Sequence, residues 1–462
     1  MEATFKAYRG RILTQDQMME ICEGNISQLS QIMVDVIPAI IKDEQGHPKC
    51  QRCQNQDVFL FGEIPSLDDG SSRYYCRQCI QMGRVLEGEY LYMINSKQEA
   101  ILDSAKSRLT WHGKLSPQQA QASRELIKSL EDKTKPHLVY AVTGAGKTEM
   151  MFSLIDTVLK QGGRVAMVSP RIDVCLELYP RIQDAFQHTE CLLMYGGTDQ
   201  VYKYTPIVIA TTHQLLKFRH AFDLTIVDEV DAFPYVNSTL LHLAVQTSVR
   251  KDTGKLIYLT ATPDAHLFQQ MQEGSLGVTR LPARFHGYPL VVPQFLWIGE
   301  WEPAVLNNKP QRKLKSILQS FIQESGCKII FVPSICLAEG MFQWLQKYFP
   351  STNIAVVHSQ DPERKEKVNS MRQGDLDVLI STTILERGVT FVNCQVLVLG
   401  ANSDMFSSSA LVQMAGRVGR KAEFPSGVLI FAHEGISGSM VEAKRQIIEM
   451  NHLAQQRGLL HE

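Results

Sequence analysis

The stretch Ala141-Val142-Thr143-Gly144-Ala145-Gly146-Lys147-Thr148 constrains this chain more than any other. It follows an apolar run at 138–142 and precedes a helical pattern at 149–160. Its glycines let the backbone wrap closely round an anion, and the amides and dipole at a helix N-terminus favour negative charge. Lys147 is placed to reach the outer phosphates of a nucleotide, and the Thr148 hydroxyl to ligate Mg²⁺. Candidate nucleotide contacts are therefore Thr143, Gly144, Ala145, Gly146, Lys147, Thr148 and Glu149. The strict pattern opens on Gly where Ala141 stands here. An ordinary glycine-rich turn is the competing reading, and strand, helix and Gly-Lys-Thr together outweigh it.

Such a loop belongs to an alternating α/β chain, and the alternation is present. Apolar strands are expected at 138–142, 164–169, 206–210, 224–227 and 255–260, then at 328–332, 353–357, 378–381, 396–400 and 427–432. The stretch 277–310, rich in Gly, Pro and aromatics, breaks the series and reads as a linker. The expected division is a segment without pattern at 1–45, a cysteine module at 46–95, a first lobe at 110–280, a linker at 281–310 and a second lobe at 311–462. Hydrophobic residues are 44% and charged ones 21%, enough apolar material for two buried cores. A net charge of -1 excludes a histone-like protein that grips nucleic acid over its whole surface, but not a local track of phosphate contacts.

Two further elements carry chemistry. The apolar run 224–227 ends in Asp228-Glu229-Val230-Asp231. Carboxylates at the end of a parallel strand lie beside the phosphate crevice, where Asp228 is suited to hold Mg²⁺ through water and Glu229 to polarise an attacking water. Gln413-Met414-Ala415-Gly416-Arg417-Val418-Gly419-Arg420 sets two arginines three apart, expected on one helical face. A guanidinium at the γ-phosphate stabilises charge developing in the transition state, and in the second lobe it acts when the lobes close. Taken alone, each is more simply a solvated loop tip or a basic patch.

Ten cysteines include two CxxC pairs, Cys50/Cys53 and Cys76/Cys79, with 22 residues between the pairs. Two such knuckles complete a tetrahedral Zn²⁺ site with no open position, hence a structural one. Two disulfides or a redox pair are the alternatives; a long intracellular chain disfavours the first and the lack of a thioredoxin-like setting the second. Tyr74 and Tyr75, with Arg52, Arg73 and Arg77, are placed either to stack on a DNA strand or to form a solvated basic ribbon. The module reads as appended to a motor that starts near Leu115 with its own cores.

Together these elements follow the order of the superfamily 2 helicase motifs, and others fall between them. Leu115-Ser116-Pro117-Gln118-Gln119 resembles the adenine-reading glutamine motif, with Gln119 as the reader. Val168-Ser169-Pro170-Arg171 and Ile209-Ala210-Thr211-Thr212 resemble two strand-contacting motifs. Thr260-Ala261-Thr262 resembles the coupling motif, with Thr where Ser is usual. Phe331-Val332-Pro333-Ser334 and the segment from Ser381 and Thr382 through Gly388 to Thr390 resemble those of the second lobe. The resemblance covers about residues 115–435 and implies two RecA-like parallel-sheet lobes behind the zinc module. It also implies strand contacts by Arg171, Thr211, Thr212, Ser334 and Thr382, and a nucleotide contact at Gly388.

Within the superfamily, the acidic box, the second-lobe segment and the arginine element look most like the replication-restart helicase PriA and the ComFA family of late-competence proteins. PriA is much longer and carries eight cysteines inside its motor. One four-cysteine set before a short motor is similar to ComFA. That likeness implies an ATPase driven by single-stranded DNA that helps draw transforming DNA into the cytoplasm. Its expected cofactors are ATP, Mg²⁺ and Zn²⁺, and its expected partners are a ComFC-like protein and the ComEC-type membrane channel. A restart or repair helicase and a non-enzymatic zinc adaptor are the alternatives. No apolar run approaches the roughly 20 residues of a membrane span, so a cytoplasmic chain is expected, held at the membrane through partners, its oligomeric state open.

Overall fold

A computed structural model describes residues 6–23, 34–65, 72–95, 106–198, 202–385 and 391–461. The first strands are β1 (Ile12–Thr14), β2 (Val34–Pro38), β3 (Ile40–Lys42), β4 (Pro48–Cys50), β5 (Phe61–Pro65), β6 (Ser72–Cys76) and β7 (Tyr90–Ile94). β1, β7 and β2 form an antiparallel sheet in that order, in the register Ile12↔Met93 and Val34↔Ile94. Two hairpins, β3–β4 and β5–β6, project between β2 and β7. The helix Gln15–Ile21 follows β1 through a capping box in which Thr14 and Gln17 satisfy each other's backbone amides. Leu13, Met18, Val34, Tyr92 and Ile94 form the small core. The described residues of this N-terminal stretch, 6–23 and 34–45, are thus not patternless. Their strands are three to five residues long and find their partner, β7, only after the cysteine hairpins.

The next strands are β8 (His137–Ala141), β9 (Val165–Ser169), β10 (Cys191–Met194), β11 (Ile207–Thr211), β12 (Leu224–Asp228), β13 (Lys255–Thr260) and β14 (Gly277–Leu281). They form a seven-stranded sheet in the order β10-β11-β9-β12-β13-β8-β14. β9, β11 and β12 are buried along their whole length, which is why they read as unbroken apolar runs. The last strands are β15 (Gln294–Trp297), β16 (Cys327–Phe331), β17 (Ile354–Val357), β18 (Val378–Ser381), β19 (Cys394–Leu399) and β20 (Leu429–His433). Their order is β15-β20-β19-β16-β18-β17, with every adjacent pair parallel. Alternate residues of β16 feed opposite faces of this sheet: Ile329 and Phe331 enter one core, Ile330 the other.

The chain divides into two compact units, residues 1–139 with 148–279 and residues 140–147 with 280–462. Each sheet has its own strand order and cores, so the architecture is two RecA-like α/β lobes behind a small β module. The stretch 277–310 is not a bare linker: β14 is an edge strand of the first sheet, β15 of the second, and a helix spans Glu302–Leu306.

Candidate nucleotide-binding site and four-cysteine centre

β8 ends at Ala141 and the phosphate loop begins there. Ala141 is fully enclosed and still part of the strand, so the motif's first position needs no glycine here. The bend lies further on. Gly144 and Gly146 hold φ of 82° and 72°, the left-handed region that side chains resist, and the Ala145 amide closes the turn on the Val142 carbonyl at 3.2 Å. Lys147 opens the helix Lys147–Lys160, whose apolar face from Met150 to Leu159 is buried. Thr148, 6% exposed, stands in its first turn. Glu149 is engaged by Arg181 at 2.5 Å, so it braces the helix start rather than reaching outward.

Asp228 is the last residue of β12, and β13 alone separates β12 from β8 in the sheet order. Glu229 follows at φ 55°, and its amide donates to Asp228 Oδ1 at 2.9 Å, so the chain turns sharply at the acidic box. Asp231, to which the sequence reading gave no role, is the anchor of the coupling motif. Its Oδ1 accepts from Thr260 Oγ1 at 2.6 Å and its Oδ2 from Thr262 Oγ1 at 2.5 Å. Both threonines are buried. Thr in place of Ser at position 260 keeps the donor this clamp needs. Carboxylate–hydroxyl bonds of this length are charge-assisted, and they tie residues 260–262 to the acidic box.

Gln119 is 2% exposed, and its Oε1 accepts from the Ser116 amide at 2.8 Å in the capping box of the helix Pro117–Ser129. The residue expected to read adenine is thus also the N3 member of the capping box of its own helix, with Ser116 as the N-cap. The arginine element is not helical as the spacing predicts. The helix Ser408–Ala415 stops before either arginine, Gly416 caps it, and Gly419 at φ 69° turns the chain. Arg417 and Arg420 therefore do not share a helical face; Arg417 is 4% exposed and Arg420 half-buried.

Of the expected strand contacts, Arg171 is the half-buried N-cap of the helix Ile172–Ala185. Ser334 is exposed and caps the helix Ile335–Tyr348 through its Oγ, and Thr382 is half-buried just after β18. Thr211 is 5% exposed at the end of β11. Thr212 is enclosed at 0%, so its side chain cannot touch a strand in this conformation. Gly388 lies outside the described residues.

Each hairpin delivers cysteines to one point. Cys50 ends β4 opposite Ile40, and Cys76 ends β6 opposite Phe61. Cys53 follows the tight turn after β4, and Cys79 sits in the 3-10 turn Arg77–Met82. The four buried sulfurs all lie within 4.8 Å of one another. Cys53–Cys76 is 3.5 Å and Cys50–Cys79 is 3.8 Å, far beyond the ~2.05 Å of a disulfide. A tetrahedron with Zn–S bonds of about 2.3 Å has edges of roughly 3.8 Å, so the donor set fits a tetrathiolate metal centre. His47 pairs with Asp43 at 3.2 Å and takes no part.

Arg52 is neither a strand contact nor a solvated ribbon residue. It is 5% exposed and donates to the carbonyls of Met82 and Gly83 at 3.2 and 2.9 Å. Tyr75 lies across Gly62, and Lys42 stands 5.2 Å over the Tyr74 ring. Nor is the module merely appended. The Arg11 guanidinium stacks on Tyr202 and Phe218 at 4.2 and 5.3 Å, and the Arg219 amide donates to the Gly10 carbonyl at 2.9 Å. Arg164, 2% exposed, ties Arg9, Tyr202 and Thr205 together. The turn Arg77–Met82 packs beside the turn Thr212–Lys217 that follows β11. Burial, then Arg11 and Arg52, push the Lys217 ammonium down to about 8.

Comparison with known proteins agrees with this arrangement. Residues 112–265 match the family model of the type III restriction enzyme res subunit, and residues 311–422 that of the helicase conserved C-terminal domain. Among solved structures, S. cerevisiae Dbp5 bound to RNA and ADP BeF3 superposes at TM-score 0.51 and 15% identity, covering 73% of this chain and 91% of that one. RecG bound to a three-way DNA junction gives 0.51 at 18% identity, over 75% of this chain and 47% of that one. These likenesses establish the fold. Residues 4–93 match the competence protein ComFA N-terminal domain. Competence protein ComFA of Bacillus subtilis is 44% identical over 88% of this chain and 86% of its own length. That of Streptococcus pneumoniae is 41% identical over 96% and 98%. With a matching N-terminal module, both helicase-type domain models and this identity over nearly the whole length, the chain belongs to the ComFA family of competence proteins.

Proposed function

We propose that the chain is an ATP-hydrolysing motor that moves along single-stranded DNA and helps bring transforming DNA into the cytoplasm. The observation that carries this reading is the clamp of Thr260 and Thr262 on Asp231 of the acidic box. A protein that only bound nucleotide would need no such tie between its acidic box and a neighbouring strand end. In the proposed cycle the loop amides and Lys147 hold the outer phosphates, and Thr148 and Asp228 hold Mg²⁺, which screens the phosphate charge. Glu229 orients the attacking water, and Arg417 and Arg420 stabilise charge on the transferred phosphoryl group. Gln119 and Gly388 complete the nucleotide contacts. The clamp passes the change in the acidic box to the strand-contacting residues, among them Arg171, Thr211, Ser334 and Thr382. Cys50, Cys53, Cys76 and Cys79 hold Zn²⁺, a structural support for the module. A ComFC-like protein and a ComEC-type channel are the proposed partners. No helix among the described residues is long and apolar enough to cross a membrane, so engagement with a channel would run through protein contacts.

Binding of labelled oligonucleotides tests the substrate. Phosphate-directed binding falls linearly in log–log form with salt, by about 0.7 per phosphate for a single strand, and varies little with base sequence. Strong preference for one sequence at fixed salt, or for RNA over single-stranded DNA, would contradict the reading. Thr262→Val tests the clamp. One charge-assisted hydrogen bond is worth ~1.5 kcal/mol, about tenfold in rate. The expected result is roughly tenfold weaker stimulation of ATP hydrolysis by single-stranded DNA, with the basal rate nearly kept. Equal loss of both rates would assign the clamp to stability alone.

A further inference from the structure

The segment from Leu281 to His286 runs between the phosphate loop and the arginine element, all within the unit of residues 140–147 and 280–462. It is bonded to both. The Val142 amide donates to the Leu281 carbonyl at 3.1 Å, and the Phe285 amide to the Gly144 carbonyl at 3.0 Å. On the other side, Arg284 Nη1 donates to the Val418 carbonyl at 2.7 Å and to the Gly419 carbonyl. His286 Nε2 lies 3.1 Å from the same Gly419 oxygen. Arg284 is among the largest fully buried side chains of the protein, 1% exposed. Its stem lies along Gly144, where an added Cβ would meet its Cγ at 3.6 Å, and a Cβ on Gly419 would meet its Nη1 at 2.8 Å. Gly419 is therefore needed for the guanidinium to fit, whereas at Gly144 a Cβ would make only ordinary contact and the positive φ alone calls for glycine.

We propose that Arg284 is a positioning residue of the nucleotide site, a strut that sets Arg417 and Arg420 relative to the phosphate loop. The inference rests on the nucleotide reading given above. The two carbonyls it grips, Val418 and Gly419, are the residues between the two arginines, so the grip fixes the backbone from which both guanidinium groups project. A buried guanidinium would ordinarily be matched by a carboxylate. Here the charged neighbour acting on it is Arg420, a second cation, and its Nε and Nη2 meet no acceptor among the described residues. Burial, then Arg420, lower its affinity for a proton to about 9. Such an arrangement is costly in the free protein and is relieved when anionic phosphate occupies the loop it leans on. The strut therefore links phosphate occupancy to the placement of the arginines through one side chain.

The test is steady-state ATP hydrolysis by the zinc-loaded full chain with saturating single-stranded DNA, for Arg284→Ala, Arg284→Lys, Arg420→Ala and the Arg284→Ala/Arg420→Ala double variant. Loss of an interaction made mainly in the transition state lowers kcat with little change in KM. Arg284→Ala should lower kcat by ~30-fold and shift KM by less than about threefold, and Arg284→Lys, which keeps donors for the two carbonyls, should recover most of it. The double variant should be no more than about twofold slower than the slower single, because both act through one element. If Arg284→Ala does not fold, Arg284→Lys carries the test: a ~5-fold loss of kcat at unchanged KM supports the strut and the parent kcat overturns it. A parent-like kcat in folded Arg284→Ala, or losses that multiply in the double variant, overturns the inference while leaving the nucleotide reading intact. A parent chain that hydrolyses no ATP, or an Arg420→Ala variant at the parent rate, overturns both.

Discussion

Lys147→Ala should remove ATP turnover, and Glu229→Gln should remove it while leaving ATP bound. Lys147 opens the helix after the loop and is the cation assigned to the outer phosphates, so its loss affects both binding and the transition state. Removal of one preorganised donor from a charge-developing site costs about 10²–10³ in rate, and loss of a positioned base about 10²–10⁴. Turnover in both variants should therefore fall at least ~100-fold, about 2.7 kcal/mol in barrier. The two differ in equilibrium binding of a fluorescent ATP analogue, weakened in Lys147→Ala and kept in Glu229→Gln. Glu229 stands at φ 55°, but Gln has the same shape and adopts that backbone as readily as Glu, so folding is not at risk. Parent-level hydrolysis in either variant would show that the loop and the acidic box are not the site.

The second large effect concerns metal. Cys50→Ser with Cys53→Ser leaves two unmatched thiols, and zinc measured by elemental analysis should drop from one equivalent per chain to near zero. Structural zinc contributes on the order of 10 kcal/mol to the folding of small zinc modules, so the hairpins should not hold their form without it. The consequence reaches beyond the module. Arg52 spans from the Cys50–Cys53 turn to the carbonyls after Cys79, and the turn Arg77–Met82 packs beside the turn that follows Thr211. Loss of zinc should therefore lower the melting temperature of the first unit and weaken single-stranded-DNA stimulation. The basal ATPase should fall only a few fold, because β8, β12 and their cores do not depend on the hairpins. Full zinc in the double variant would refute the ligand set. An unchanged melting temperature would refute the docking argument.

What was legible in the sequence follows from how local each signal is. The phosphate loop, the acidic box and the cysteine pairs are short patterns whose geometry is set by their own residues: the loop follows β8, Asp228 ends β12, and the four sulfurs converge. The buried strands of both sheets were legible because burial on both faces leaves an unbroken apolar run, as in β9 and β12. Of the four edge strands of the two large sheets, β17 was legible at 353–357, but β10, β14 and β15 escaped for the opposite reason. β15, Gln-Phe-Leu-Trp, is largely exposed and follows a proline, so nothing local distinguishes it from a loop. β1 and β2 are defined by β7, more than fifty residues away across two hairpins. The arginine element was misread as helical because spacing of three suits a helix, whereas Gly416 and Gly419 end it. Asp231 and Arg284 carried no sequence signal: one is the last acid of a short box, the other a lone arginine among turns. Their importance lies in what the fold sets against them.

The most direct measurement of the central claim is the ATPase rate of the zinc-loaded parent chain, titrated with single-stranded DNA, duplex DNA and RNA at one salt concentration. The account predicts a rate that rises and saturates with single-stranded DNA, rises less with duplex or RNA, and stays flat in Lys147→Ala. A parent rate indifferent to single-stranded DNA would contradict it.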